Sequence, residues 1–160
     1  MDNPVSSMQL TSSGRYAVGV LRPESSYTND LDGFQDARWG LGIVDLAGED
    51  AVSLVTESAP VGIALVEDES ASYALVLLEA QEYLLYIDLA NPSAAIQVDL
   101  PASPTRLSTL PDGRFLISHT ASLGLLSFLD PQTLEMQSAS GFAVAGLLAE
   151  DTLPRRGEEE

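Results

Sequence analysis

An all-β fold built from repeated four-stranded antiparallel units is the class this sequence predicts, and three observations carry it. Val44-Asp45-Leu46, Ile87-Asp88-Leu89 and Leu129-Asp130-Pro131 each close an apolar run, and their aspartates stand 43 and 42 residues apart. A period near 42 marks a chain of structural repeats rather than one irregular core. Around each Asp the same order recurs: an opening segment, a turn, an apolar strand ending near Val20, Leu78 or His119, a connection, the Asp-bearing strand, and one more strand. Apolar residues also run without clear alternation between Tyr73 and Ile87, the pattern of a sheet covered on both faces. Connections of a few residues require antiparallel neighbours, because parallel crossovers need a dozen or more.

In chain order, the first unit spans 4–58. Its opening strand is Val5 to Leu10, its turn Ser12-Ser13-Gly14, and its last strand Val52 to Val55, with a long insertion at 22–38 before the Asp45 strand. The second unit, 59–100, opens with Pro60 to Val66, turns at Asp68-Glu69-Ser70-Ala71-Ser72 and ends with Ile96 to Leu100. Between Tyr73 and Ile87 the abundance of Ala, Leu, Glu and Gln would also suit a helix. The repeat decides for strands, since Glu79-Ala80-Gln81 falls where the third unit has Thr120-Ala121-Ser122 and Gly124. The third unit, 101–140, opens with Leu107 to Leu110 and ends with Leu134 to Gln137. Residues 141–149 read as the opening strand of an incomplete fourth unit, at Ala143 to Leu148, and 150–160 as an acidic tail.

The run Pro104-Thr105-Arg106-Leu107-Ser108-Thr109-Leu110-Pro111-Asp112-Gly113-Arg114-Phe115-Leu116-Ile117-Ser118 resembles the "strand, Pro-Asp-Gly, strand" opening of YVTN and WD40-like β-propeller repeats. Pro presets φ for the turn and Gly accepts the positive φ that follows. The resemblance covers roughly residues 4 to 148. It implies a partial β-propeller of four-stranded blades, a fragment of about three and a half, since closed rings use about four to eight. By the same analogy the first strand of each blade lines a central channel. The connections between second and third strands share one face with the links between blades, and that is where ligands bind. The resemblance also implies a prokaryotic, secreted or cell-surface parent protein. Met1-Asp2-Asn3-Pro4 itself lacks the segments of a signal peptide.

Composition excludes several classes. The net charge is −17 and all seven basic residues are Arg, which opposes binding to nucleic-acid backbones or anionic membrane surfaces. No run approaches the ~18 apolar residues of a membrane span, so membrane insertion through a helix is not expected. The absence of cysteine removes disulfides, thiol catalysis and Cys-based metal sites.

The insertion concentrates the candidate chemistry. Thr28-x-Asp30-x-Asp32-Gly33-x-x-Asp36 resembles the calcium loop of some propellers, with Thr in place of the first Asp. Alternate oxygen ligands from Thr28, Asp30, Asp32 and Asp36 would converge on a hard cation, with Gly33 permitting the bend. The same carboxylates can instead cap turns in a solvated loop. Tyr27, Arg38 and Trp39 form a candidate binding cluster, because aromatics and Arg anchor interfaces, although Trp39 also suits packing between blades. His119 follows Ser118, and adjacent strand residues point to opposite faces, so the two cannot act as base and nucleophile. Asp45, Asp88 and Asp130 are expected to bond turn amides.

These features predict a non-catalytic scaffold that binds a protein or small ligand through its loop face, with calcium the one cofactor offered. Two other classes remain: a fragment of a hydrolase or lactonase-like propeller enzyme, or a calcium-stabilised structural repeat. Self-association completing a propeller ring is a further expectation, because apolar end faces and unpaired edges are association sites.

Overall fold

The computed structural model describes residues 4–23, 38–68 and 71–141. Twelve strands among them form three sheets. Sheet one contains β1 (Val5–Leu10), β2 (Tyr16–Leu21), β3 (Gly40–Asp45) and β4 (Asp50–Val55). Sheet two contains β5 (Pro60–Glu67), β6 (Ser72–Leu78), β7 (Tyr83–Asp88) and β8 (Ile96–Asp99), and sheet three β9 (Pro104–Thr109), β10 (Phe115–His119), β11 (Leu125–Leu129) and β12 (Met136–Ser140). Within each sheet the strands lie in chain order and every pairing is antiparallel.

The three sheets stack face to face as blades of a partial β-propeller. Their first strands meet at the inner edge: the Gln9 amide on β1 donates to the Ile63 carbonyl on β5 at 3.0 Å. At the next junction a Cβ on Gly62 of β5 would lie only 3.0 Å from Leu107 Cβ on β9. Glycine there permits that approach. The residue just ahead of each blade's first strand is held by one recurring bond, from Arg22 N to Pro4 O (3.0 Å), Glu79 N to Ala59 O (2.8 Å) and Thr120 N to Ser103 O (2.9 Å).

Blade two shows why its strands are apolar throughout. Alternate residues of a strand point to opposite faces. Ala74, Val76 and Leu78 of β6 join Tyr16, Val18, Val20, Leu41 and Ile43 in one buried cluster. Leu75 and Leu77 join Phe115, Ile117 and Leu129 in the other. The core is therefore two inter-blade layers, and the middle blade contributes to both.

The segment that could have been helical is β6 and β7 with a tight turn between them, where Ala80 takes a positive φ of 56°. Some boundaries move. The third blade opens at Pro104 rather than Leu107, and Leu110 leaves the strand because it closes the Pro111-Asp112-Gly113 turn, its amide donating to Arg114 O at 2.8 Å. The last strand begins at Met136 rather than Leu134, which sits inside the preceding turn at φ 58°. Residues 142–149 of the expected fourth opening strand, and the 150–160 tail, lie outside the described residues.

Candidate functional site

One face of the stack carries the inter-blade links and the connections between second and third strands; we call it the link face. Arg38 and Trp39 stand there, just before β3. The calcium loop expected of Thr28, Asp30, Asp32 and Asp36, and Tyr27 beside it, lie outside the described residues. The half-buried Trp39 side chain packs against the core layer between blades one and two. Its carbonyl accepts the Thr56 amide at 2.9 Å. With Arg38, Val55, Thr56 and Glu57 it borders a shallow cleft of about 340 Å³. Glu57 accepts the Tyr83 hydroxyl at 3.0 Å, and burial first, then this carboxylate, raise the phenol above its usual pKa.

A larger cleft of about 530 Å³ opens on the same face at the junction of blades two and three. Val61 and Pro104 supply its apolar wall, Ser103, Thr105 and Thr120 its hydroxyls, and Glu79 and Glu82 its charge. The link after blade two and the β6–β7 turn bring these groups together. Thr105 is already engaged, its hydroxyl meeting the Ser118 carbonyl at 3.1 Å and the Ser118 hydroxyl at 2.8 Å. Among the described residues, neither the Glu79 nor the Glu82 carboxylate is paired. Sequence reasoning passed over this cleft because its walls come from two different repeats, and no local motif marks that juxtaposition.

On the opposite, turn face, Glu67 at the end of β5 is cradled across a blade junction. It accepts the Ser12 hydroxyl, the Ser13 amide at 2.8 Å, the Ser13 hydroxyl at 2.5 Å and the Ser72 hydroxyl at 3.2 Å. Those donors, the Ser12 hydroxyl first, hold its carboxyl down at about 2. The Ser12-Ser13-Gly14 turn was legible as a turn, but not as a clasp for a carboxylate 54 residues away. The three repeating aspartates bond turn amides as their positions implied. Asp45 accepts Ala47 N and Gly48 N at 3.0 Å, Asp88 accepts Ala90 N at 2.9 Å, and Asp130 accepts Gln132 N at 2.8 Å. The Gly48 amide, then Arg15 at 3.2 Å, keeps the Asp45 carboxyl below the usual range.

His119 lies inside blade three. Its Nδ1 is 2.8 Å from the Ala102 carbonyl, which can only accept, so Nδ1 carries a proton. In the neutral ring Nε2 then accepts the Ser127 hydroxyl at 2.8 Å, and Ser127 Oγ accepts Ser138 at 2.9 Å. The chain crosses β10, β11 and β12 and ties them to the inter-blade link. Although a Ser–His contact is the geometry of an activated nucleophile, Ser127 has 0 % of its surface exposed. No substrate reaches it in this arrangement.

No protein-family model matches the chain, and neither does any curated protein sequence. Among solved structures it is similar to the dihydro-heme d1 dehydrogenase NirN in complex with DHE, with 15% identity and a TM-score of 0.49 over 88% of this chain and 38% of that one. It is also similar to HIRA, with 14% identity and a TM-score of 0.47 over 84% of this chain and 39% of that one. The chain thus spans about two fifths of the length of each.

Proposed function

We propose that the chain is a non-catalytic binding scaffold whose link face receives a basic segment of a protein partner at the junction of blades two and three. The cleft carries this reading. It pairs an apolar wall at Val61 and Pro104 with the unpaired carboxylates of Glu79 and Glu82, which suits a lysine or arginine side chain whose stem packs while its charged end is met. A rigid base supports it, since both adjoining blades are locked by the buried layer containing Leu75, Leu77, Ile117 and Leu129. Hydrolysis finds less support, because Ser127, the serine bonded to His119, is enclosed.

The absence of cysteine allows a direct test. A fluorophore on Thr120→Cys reports occupancy while lysine-rich and glutamate-rich peptides of equal length are titrated. Saturable binding of the lysine-rich peptide is expected. Glu79→Gln with Glu82→Gln should weaken it several-fold, whereas Asp50→Asn with Glu135→Gln, the same charge change on the opposite, turn face, should not. Equal loss from both pairs would reduce the effect to the chain's overall charge and overturn the site.

A further inference from the structure

The two outermost sheets of the described stack each have one face that no other described sheet covers. In blade two, Ala74, Val76 and Leu78 face blade one. Counted back from the end of the strand, their equivalents in blade one are Ala17, Gly19 and Leu21, which pair in register with Leu10, Met8 and Val5. This is the face turned away from blade two, and Val5, Met8 and Leu10 are 58%, 64% and 57% exposed. Blade three leaves the opposite kind of face unmatched. Phe115 and Ile117 point to blade two, so Leu116 and its cross-strand partner Phe128 point away.

Every internal junction joins one face of the first kind to one of the second, and the described stack ends with one of each. We infer that two copies of this chain associate head to tail, the free face of blade one in each copy packing on the free face of blade three in the other. The occupant follows from repetition. A second copy offers a partner to both faces at once, in the pairing already used at the two internal junctions, and the two contacts close into a ring rather than a filament. The six four-stranded sheets described in two copies also fall within the number from which rings are built. Face-to-face pairing of like ends would instead set two faces of the same kind together, which no internal junction does. With −17 on each copy, repulsion opposes the contact, so it strengthens as salt screens the charge. This inference stands independently of binding at the link face.

Sedimentation velocity over a concentration series, at low salt and at about 0.5 M salt where screening extends only a few ångströms, tests it. A monomer–dimer equilibrium favoured by salt is expected. Met8→Glu and Phe128→Asp should each weaken it by at least about tenfold, since each leaves an unpaired charge in a junction. Mixing the two variants should restore a one-junction heterodimer, because each retains the face the other has lost. Leu10→Glu serves as a second lesion of the blade-one face should Met8→Glu fail to show native Trp39 emission. A wild-type monomer at every concentration and salt would overturn the inference, as would a Phe128→Asp chain that dimerises like wild type.

Discussion

Glu67 shows how much a single carboxylate can organise. Its four hydrogen bonds come from three serines, two on the blade-one turn and one at the start of β6, so its charge is bound up with the junction of blades one and two. Folding lowers its pKa from the ordinary 4.5 to about 2. The unfolded chain therefore takes up this proton first. The stabilisation is fully present above about pH 4.5 and is lost as pH falls through 2. Melting temperatures of wild type and Glu67→Gln should differ at neutral pH and converge toward pH 2. Parallel profiles across that window would show that the serines do not favour the charged form. His119 is organised in the same spirit, but by neutral partners: one carbonyl and one hydroxyl settle which ring nitrogen carries the proton.

At the scale of an element, the turns carry most of the local information. Gly14 and Gly113 adopt φ of 72° and 85° in the first hairpin of blades one and three, where glycine meets no steric penalty. The β6–β7 turn has no glycine at its left-handed position, and Ala80 takes φ 56° there. A left-handed conformation costs a residue with a Cβ about 1–2 kcal/mol, whereas glycine's added freedom in the unfolded chain returns about 0.4–1 kcal/mol of that. Ala80→Gly is exposed and removes only a methyl group, so it should raise stability by about 0.5 kcal/mol. Ala80→Val should lower it. Urea denaturation midpoints of the three chains give the test, and a destabilised glycine variant would mean that the turn is held by something other than local backbone preference.

Across the whole molecule, stability resides between blades. Neither core layer belongs to one sheet, and β6 feeds both through alternate residues. Leu77 is fully buried toward blade three, whereas Trp39 reports on the layer between blades one and two. If the stack unfolds as one unit, Leu77→Ala, which should cost about 2–5 kcal/mol, must shift the Trp39 fluorescence transition as fully as it shifts far-UV circular dichroism. A Trp39 transition left in place would reveal blades that melt one at a time, as loosely coupled repeat arrays do.

The repeat of Asp45, Asp88 and Asp130, the turn residues and the double-sided apolar run of β6 were enough to establish an all-β stack of four-stranded units from sequence. Each rests on interactions between residues close along the chain, or on a pattern imposed by being covered on both faces. Strand limits at Leu110 and Leu134 were misjudged because a leucine suits a strand by hydrophobicity, and only the turn's hydrogen bond or a positive φ shows that it has left one. The clasp of Ser12, Ser13 and Ser72 on Glu67, the cleft beneath Glu79 and Thr120, and the burial of Ser127 beside His119 were decided by tertiary structure alone. Each joins groups from different strands or different blades. Their partners are chosen by the angle and spacing at which sheets stack, and a linear order of residues does not carry that geometry.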